Sequence, residues 1–99
     1  MAKRTLLKQN EVEDSLKRLA GWKIVNGKLH KEFQFESFVQ AFGFMTSVAI
    51  TAEAMNHHPE WFNVYDKVRV DLVTHDLGGI STFDVILAEK MNQLAESFS

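Results

Sequence analysis

The sequence predicts an α+β fold: a four-stranded antiparallel sheet with three helices on one face, in the order α-β-β-α-β-β-α. Three observations carry this. Apolar residues recur at helical spacing in three segments, and two stretches of strand-like alternation separate them. The dipeptide Asn26-Gly27, between two alternating runs, is the strongest short hairpin signal. The strands come in adjacent pairs without a crossover helix inside either pair, which favours hairpins and an antiparallel sheet over a βαβ arrangement.

The elements follow in order. Residues 11–20 place Val12, Leu16 and Leu19 on one face, with acidic Glu11, Glu13 and Asp14 early and basic Lys17 and Arg18 late, as the helix dipole favours. This helix ends near Gly21. A two-residue turn at Asn26-Gly27 sets Ile24 opposite Leu29, and Phe33 and Phe35 continue that face by alternation, leaving His30 as a solvated residue on the other. From Glu36 to His57 the spacing is helical again. Phe38, Phe42, Met45, Ala49 and Ala52 form the expected core stripe, while Phe44, Val48 and Met55 form a second apolar row. Residues 41–52 carry no charge, so in a domain this small the second row is expected to meet another subunit. Beyond Pro59, Trp61–Tyr65 and Val68–Thr74 read as strands whose apolar positions are even-numbered from Phe62 to Leu72. Pairing even with even calls for a three-residue turn centred on Asp66. Gly78-Gly79 turns the chain. Ser81-Thr-Phe83-Asp84 then opens a last helix as a capping box, with Phe83, Leu87, Met91, Leu94 and Phe98 as its buried row.

Composition bounds the function. Ninety-nine residues form one domain, 1–99, with no repeat or low-complexity stretch. The absence of cysteine excludes disulfides, thiolate nucleophiles, zinc knuckles and iron–sulfur clusters, and fits a reducing, cytoplasmic setting. No signal-like apolar segment opens the chain, and the longest uncharged stretch is too short to span a bilayer, so no membrane is expected as a partner. Residues 1–31 hold eight of the eleven Lys/Arg but three of the thirteen Asp/Glu. That polarity argues against a continuous nucleic-acid groove, and no direct nucleic-acid binding is expected.

The chemistry gathers in Glu53-Ala-Met-Asn56-His57-His58-Pro59-Glu60-Trp61. The ring of Pro59 disfavours helix at His58, so the helix should end at about His57 or His58. Glu53 and His57 lie four apart, on one helical face, where the carboxylate can orient the imidazole. His57 and His58 precede the second hairpin and His75 follows it; since a hairpin's entry and exit lie at one end of its strands, the three can converge. Such a cluster can give and take protons near neutral pH. Three readings remain open on the residues: metal-free acid–base catalysis, a metal site of three histidines and a carboxylate, or histidines that are structural or bind a ligand. No familiar metal-ligand spacing occurs, and neither Ser47 nor Ser81 sits in a nucleophile-elbow sequence.

The pattern Glu53-x3-His57-His58-Pro59-x5-Tyr65-x9-His75-x8-Asp84 resembles the signature of the pterin-4a-carbinolamine dehydratase family, known also as the dimerisation cofactor of a homeodomain transcription factor. The stretches Ala41–Thr46, Glu60–Tyr65 and Thr74–Asp76 resemble that family as well, and the likeness runs from about Gly21 to Ala88. The resemblance implies dehydration of a 4a-hydroxytetrahydropterin by an acid and a base, with no metal and no cofactor. It implies His57 and His75 as the acid–base pair, His58 as a pterin holder and Glu53 as support for His57. Asn56, Val73, Thr74 and Asp76 would complete the pocket, Pro59 and Trp61 would shape its wall, and Asp84 would cap its helix and back the site. It further implies a dimer or tetramer built through helix 36–57 and the sheet edges. In an animal it would add a transcription-factor partner and a nuclear location, so a protein-binding coactivator scaffold is the alternative function.

Overall fold

The computed structural model describes residues 3–98. Its elements are α1 (Gln9–Leu16), β1 (Lys23–Val25), β2 (Lys28–Gln34), α2 (Phe38–Met55), β3 (Glu60–Val64), β4 (Lys67–Leu72), a 3-10 turn at His75–Leu77, and α3 (Thr82–Glu96). The sheet order is β1-β2-β4-β3, antiparallel throughout, with the helices layered on it as the sequence predicts.

The first hairpin forms as its sequence dictates. Asn26 and Gly27 both take positive φ, 52° and 76°, the geometry of a tight two-residue turn, and Ile24 pairs with Leu29. Only Leu29 is buried; Ile24, on the edge strand β1, is 41% exposed beside a groove that it lines with Gln9, Val12 and Glu13 of α1. His30 is not simply solvated: Asp71 lies opposite it in the register, and Nδ1 meets that carboxylate at 2.8 Å. α1 starts earlier than predicted, because Glu11 Oε1 accepts from the Lys8 backbone N–H at 2.8 Å. It also stops sooner, tightening after Leu16 into i→i−3 bonds that still carry Leu19 into the core.

α2 largely exchanges its two predicted apolar rows: of the expected core stripe Ala52 is buried and Met45 packs partly against the core, but Phe38, Phe42 and Ala49 are exposed. The buried face is Ala41, Phe44, Val48 and Ala52, whereas Phe38 and Phe42 are about half exposed, and Val39 and Ile50 more so. The ring of Phe44 packs 4.8 Å from that of Phe33 and 5.0 Å from that of Phe35, between centroids, and this fixes which face meets the sheet. In a helix apolar nearly all round, periodicity cannot choose a face; the positions of the strand aromatics do. By length and composition alone α2 is apolar enough to cross a membrane, yet its buried row is packed into the protein's own core.

The second hairpin also departs from prediction. Val64 pairs with Lys67, so the turn has two residues, Tyr65 and Asp66, not three. β4 turns Val68, Val70 and Leu72 inward, and Trp61 of β3 pairs with Val70 on that side. Phe62 and Val64 consequently face out, and the Arg69 guanidinium stacks on the Phe62 ring at 4.8 Å. Asn63 Nδ2 donates to the backbone oxygens of Tyr65 and Lys67, bracing the turn in which Tyr65 holds a φ of 51°. The even-numbered alternation therefore spanned two opposite faces, one per strand.

Candidate active site

The site begins where α2 ends. Asn56, not the bond before Pro59, terminates the helix: it adopts the left-handed conformation, its N–H bonds Glu53 O at 3.1 Å, and His57 N–H reaches back to Ala52 O at 3.0 Å. Leaving the helix at Met55 removes the i,i+4 relation between Glu53 and His57. The predicted partnership is accordingly replaced by another: Glu53 Oε1 meets His58 Nε2 at 2.8 Å on the surface.

His57 turns inward instead. It is 5% exposed, edge-on to the ring of Phe83, and its Nε2 lies 2.6 Å from Oδ1 of Asp84, which is fully buried. The local sequence at α3 places that carboxylate. Ser81 is the N-cap, and Asp84 Oδ2 accepts from the Ser81 backbone N–H and from Thr74 Oγ1, each at 2.8 Å. Ser81 Oγ, 2.6 Å from Thr74 Oγ1, closes the network. Asp84 thus both caps the helix and holds a site histidine. A carboxylate only accepts, so Nε2 of His57 is the donor and Nδ1 is the nitrogen left to exchange a proton. Among the described residues no side-chain polar atom is buried without a partner; Nδ1, which makes no bond, therefore keeps its opening to the adjoining cleft.

That cleft, of about 220 Å³, is lined by Arg4, Asn56, His57, His58, Val73, Thr74, His75 and Asp76. All seven residues named from the sequence as pocket-forming are brought together there, with the three histidines among them. The strand pairing explains the convergence: Thr74 bridges Gly79 just past β4, folding the 3-10 turn back beside the end of α2. Pro59 and Trp61 do not line the cleft; Trp61 packs on the core side of β3. Two further residues escape sequence reasoning. Arg4 grips Asp76 with two bonds, of 3.1 and 3.2 Å, because Leu6 bridges Ser81 and lays the N-terminal segment along the cleft. Glu60 Oε2 meets His75 Nε2 at 2.7 Å and its Oε1 accepts from Lys28 Nζ at 2.6 Å. The Lys28 ammonium, and after it His75, hold the Glu60 carboxyl below its usual range, and Lys28 is raised in return. Neither pairing has a spacing that sequence could flag, since 32 positions separate Lys28 from Glu60 and 72 separate Arg4 from Asp76.

Among the described residues, no three His, Asp or Glu side chains converge as a set of metal ligands. The donors instead form separate histidine–carboxylate pairs around one opening, an arrangement suited to moving protons.

Comparison with known proteins gives the family. The family model for pterin 4 alpha carbinolamine dehydratase matches residues 5–94. A protein of Solibacter usitatus, named provisionally as a pterin-4-alpha-carbinolamine dehydratase, is 54% identical over 91 residues, covering 92% of this chain and 96% of its own length. A Prochlorococcus marinus relative with the same provisional name is 44% identical, over 94% of this chain and 98% of its own. The crystal structure of a Brucella melitensis protein, described as a transcriptional coactivator/pterin dehydratase, superposes with a TM-score of 0.88 at 42% identity, covering 92% of this chain and 99% of that one. With a family model matched over nearly the whole fold and relatives this similar along the whole length, this chain belongs to the pterin 4 alpha carbinolamine dehydratase family.

Proposed function

We propose that the protein is a 4a-hydroxytetrahydrobiopterin dehydratase, which eliminates water from the pterin 4a-carbinolamine to give quinonoid dihydropterin and so recycles the tetrahydrobiopterin cofactor of aromatic amino acid hydroxylases in the cytoplasm. The observation that carries this reading is the buried His57, tied through Nε2 to Asp84 at 2.6 Å and open through Nδ1 to a cleft that His58 and His75 also line. In the elimination the C4a–O bond breaks, the hydroxyl leaves as water with a proton from an acid, N5 gives its proton to a base, and a C4a=N5 double bond forms. His57 and His75 are the acid–base pair, one protonating the leaving hydroxyl and the other accepting the proton from N5. His58, braced by Glu53, holds the pterin with Asn56, Val73, Thr74 and Asp76. The reaction asks nothing of a metal or redox cofactor.

His57→Ala and His75→Ala are each expected to lower the dehydration rate of a synthetic 4a-hydroxypterin about tenfold or more, against a general acid–base contribution of roughly a hundredfold or greater. Unchanged rates would overturn the assignment. A chelator is expected to leave the wild-type rate intact; strong inhibition would return the metal reading. The second reading, a protein-binding coactivator scaffold, is favoured by one feature, the exposed apolar face of α2. A wild-type protein inert toward the carbinolamine would leave that reading standing. Under either, the same face and the sheet edges β1 and β3 are the surfaces through which copies associate as a dimer or tetramer.

A further inference from the structure

We propose that Glu60, itself pinned by Lys28, is the positioning residue of His75, fixing its ring with hydrogen on Nε2 and leaving Nδ1 for proton transfer. This rests on the dehydratase reading of the cleft. His75 stands on a three-residue 3-10 turn with its side chain 73% exposed, so packing does little to hold the ring. Its bond to Glu60 Oε2 is what restrains it. Glu60 opens the edge strand β3, where pairing with Asp71 fixes its backbone, and its second oxygen is taken by Lys28 from β2, reaching past the end of β4. Both oxygens of a surface carboxylate are thus engaged, linking three elements in one line from Lys28 through Glu60 to His75.

Exposed ion pairs add little to stability, so a doubly held surface carboxylate is better explained by the ring it orients. The relation repeats the one at His57, where Nε2 also meets a carboxylate; carboxylates that fix a histidine's tautomer are a recurrent supporting device. Because an ionised carboxylate cannot donate, both acid–base imidazoles keep a hydrogen on Nε2 and present Nδ1, bare in the ring that acts as base and protonated in the ring that acts as acid. The groups around Glu60 are Lys28 from β2, Asp71 from β4 (itself bonded to His30) and His75; Asp76, bridged by Arg4, follows His75. Lys28 keeps Glu60 in the form that can only accept. A glutamine there can offer an N–H to the ring and so select the other tautomer.

The test combines kinetics with 15N NMR of the imidazoles in the full chain. Glu60→Gln is expected to lower kcat about fivefold or more with KM changed by less than roughly twofold, and to shift the pH–rate limb to which His75 contributes. NMR should report His75 as the Nε2–H tautomer in the wild type and as a mixture in the variant. Lys28→Ala should fall between them, and Lys28→Arg should restore the wild-type tautomer and rate. If Glu60→Gln leaves both kcat and the tautomer unchanged, Glu60 is a surface pair and the proposal fails. If the wild type does not dehydrate the pterin, the dehydratase reading fails, while NMR still decides the positioning: a ring locked in the wild type and released in Glu60→Gln sustains it, and no change refutes it.

Discussion

Each histidine of the cleft meets its own carboxylate: His57 with Asp84, His58 with Glu53, His75 with Glu60. The three pairs differ in environment, and that difference separates their roles. Asp84 and His57 are buried, so their geometry is held by packing and by the Ser81–Thr74 network. Glu53 and His58 are exposed, a looser arrangement that suits contact with a ligand more than precise proton transfer. Glu60 is intermediate, a surface carboxylate immobilised by a lysine. Its carboxyl lies below the ordinary value of 4.5, chiefly through Lys28 and then His75. A depressed carboxyl adds stability above its unfolded-state value and loses it as pH falls through the folded one. The melting temperature of the wild type should therefore exceed that of Glu60→Gln at neutral pH, and the gap should close as pH drops below about 4.5, as thermal denaturation across acidic buffers will show.

At the scale of elements, the end of α2 is the decisive event. Had the helix run on to His58, Glu53 and His57 would share a face and His57 would point along the helix, away from α3. Asn56 in the left-handed conformation breaks that continuity two residues earlier and swings His57 into contact with Asp84. Asn tolerates this conformation better than most residues with a Cβ, and a β-branched side chain tolerates it poorly. Asn56→Val is expected to cost roughly 1–2 kcal/mol, read as a lower urea midpoint. Asn56→Gly should lose much less, since glycine adopts positive φ without strain. At its other end the same hairpin-and-turn logic delivers His75: β3 and β4 are joined by two residues, and the chain leaving β4 folds back through the Thr74–Gly79 bridge.

At the scale of the whole molecule, the apolar surface of α2 divides into a half that builds the core and a half that faces outward. Phe44 and Val48 are fully buried, whereas Val39, Phe42 and Ile50 are exposed. The two faces predict opposite behaviour. Phe42→Glu and Val39→Glu should leave the circular dichroism intact while reducing the mass seen in sedimentation, if copies associate through this helix. Phe44→Glu should unfold the chain, because it sets an unpaired charge in the core; even Phe44→Ala should cost about 3–5 kcal/mol. Unchanged mass in both surface variants would exclude this face as the contact between copies. Phe62 and Val64 on β3, with Tyr65 in the turn that follows, form a second exposed apolar group, at a sheet edge whose backbone groups are free to pair.

The sequence by itself determined the element order, the first hairpin to the residue, the capping box at Ser81 and Asp84, and the convergence of the three histidines at the cleft. These rest on local rules: positive φ at Asn-Gly, a side chain bonding an amide three residues away, and the return of a hairpin to its starting end. Tertiary structure alone decided which face of α2 is core, which face of β3 is out, and which carboxylate each histidine finds. The physical reason is common to all three. An all-round apolar helix and an alternating edge strand offer two faces of similar hydrophobicity, and only the neighbouring aromatics and strands select one. The partnerships of Asp84 with His57, Glu60 with His75 and Arg4 with Asp76 join residues far apart in the chain, a distance across which no periodicity carries information.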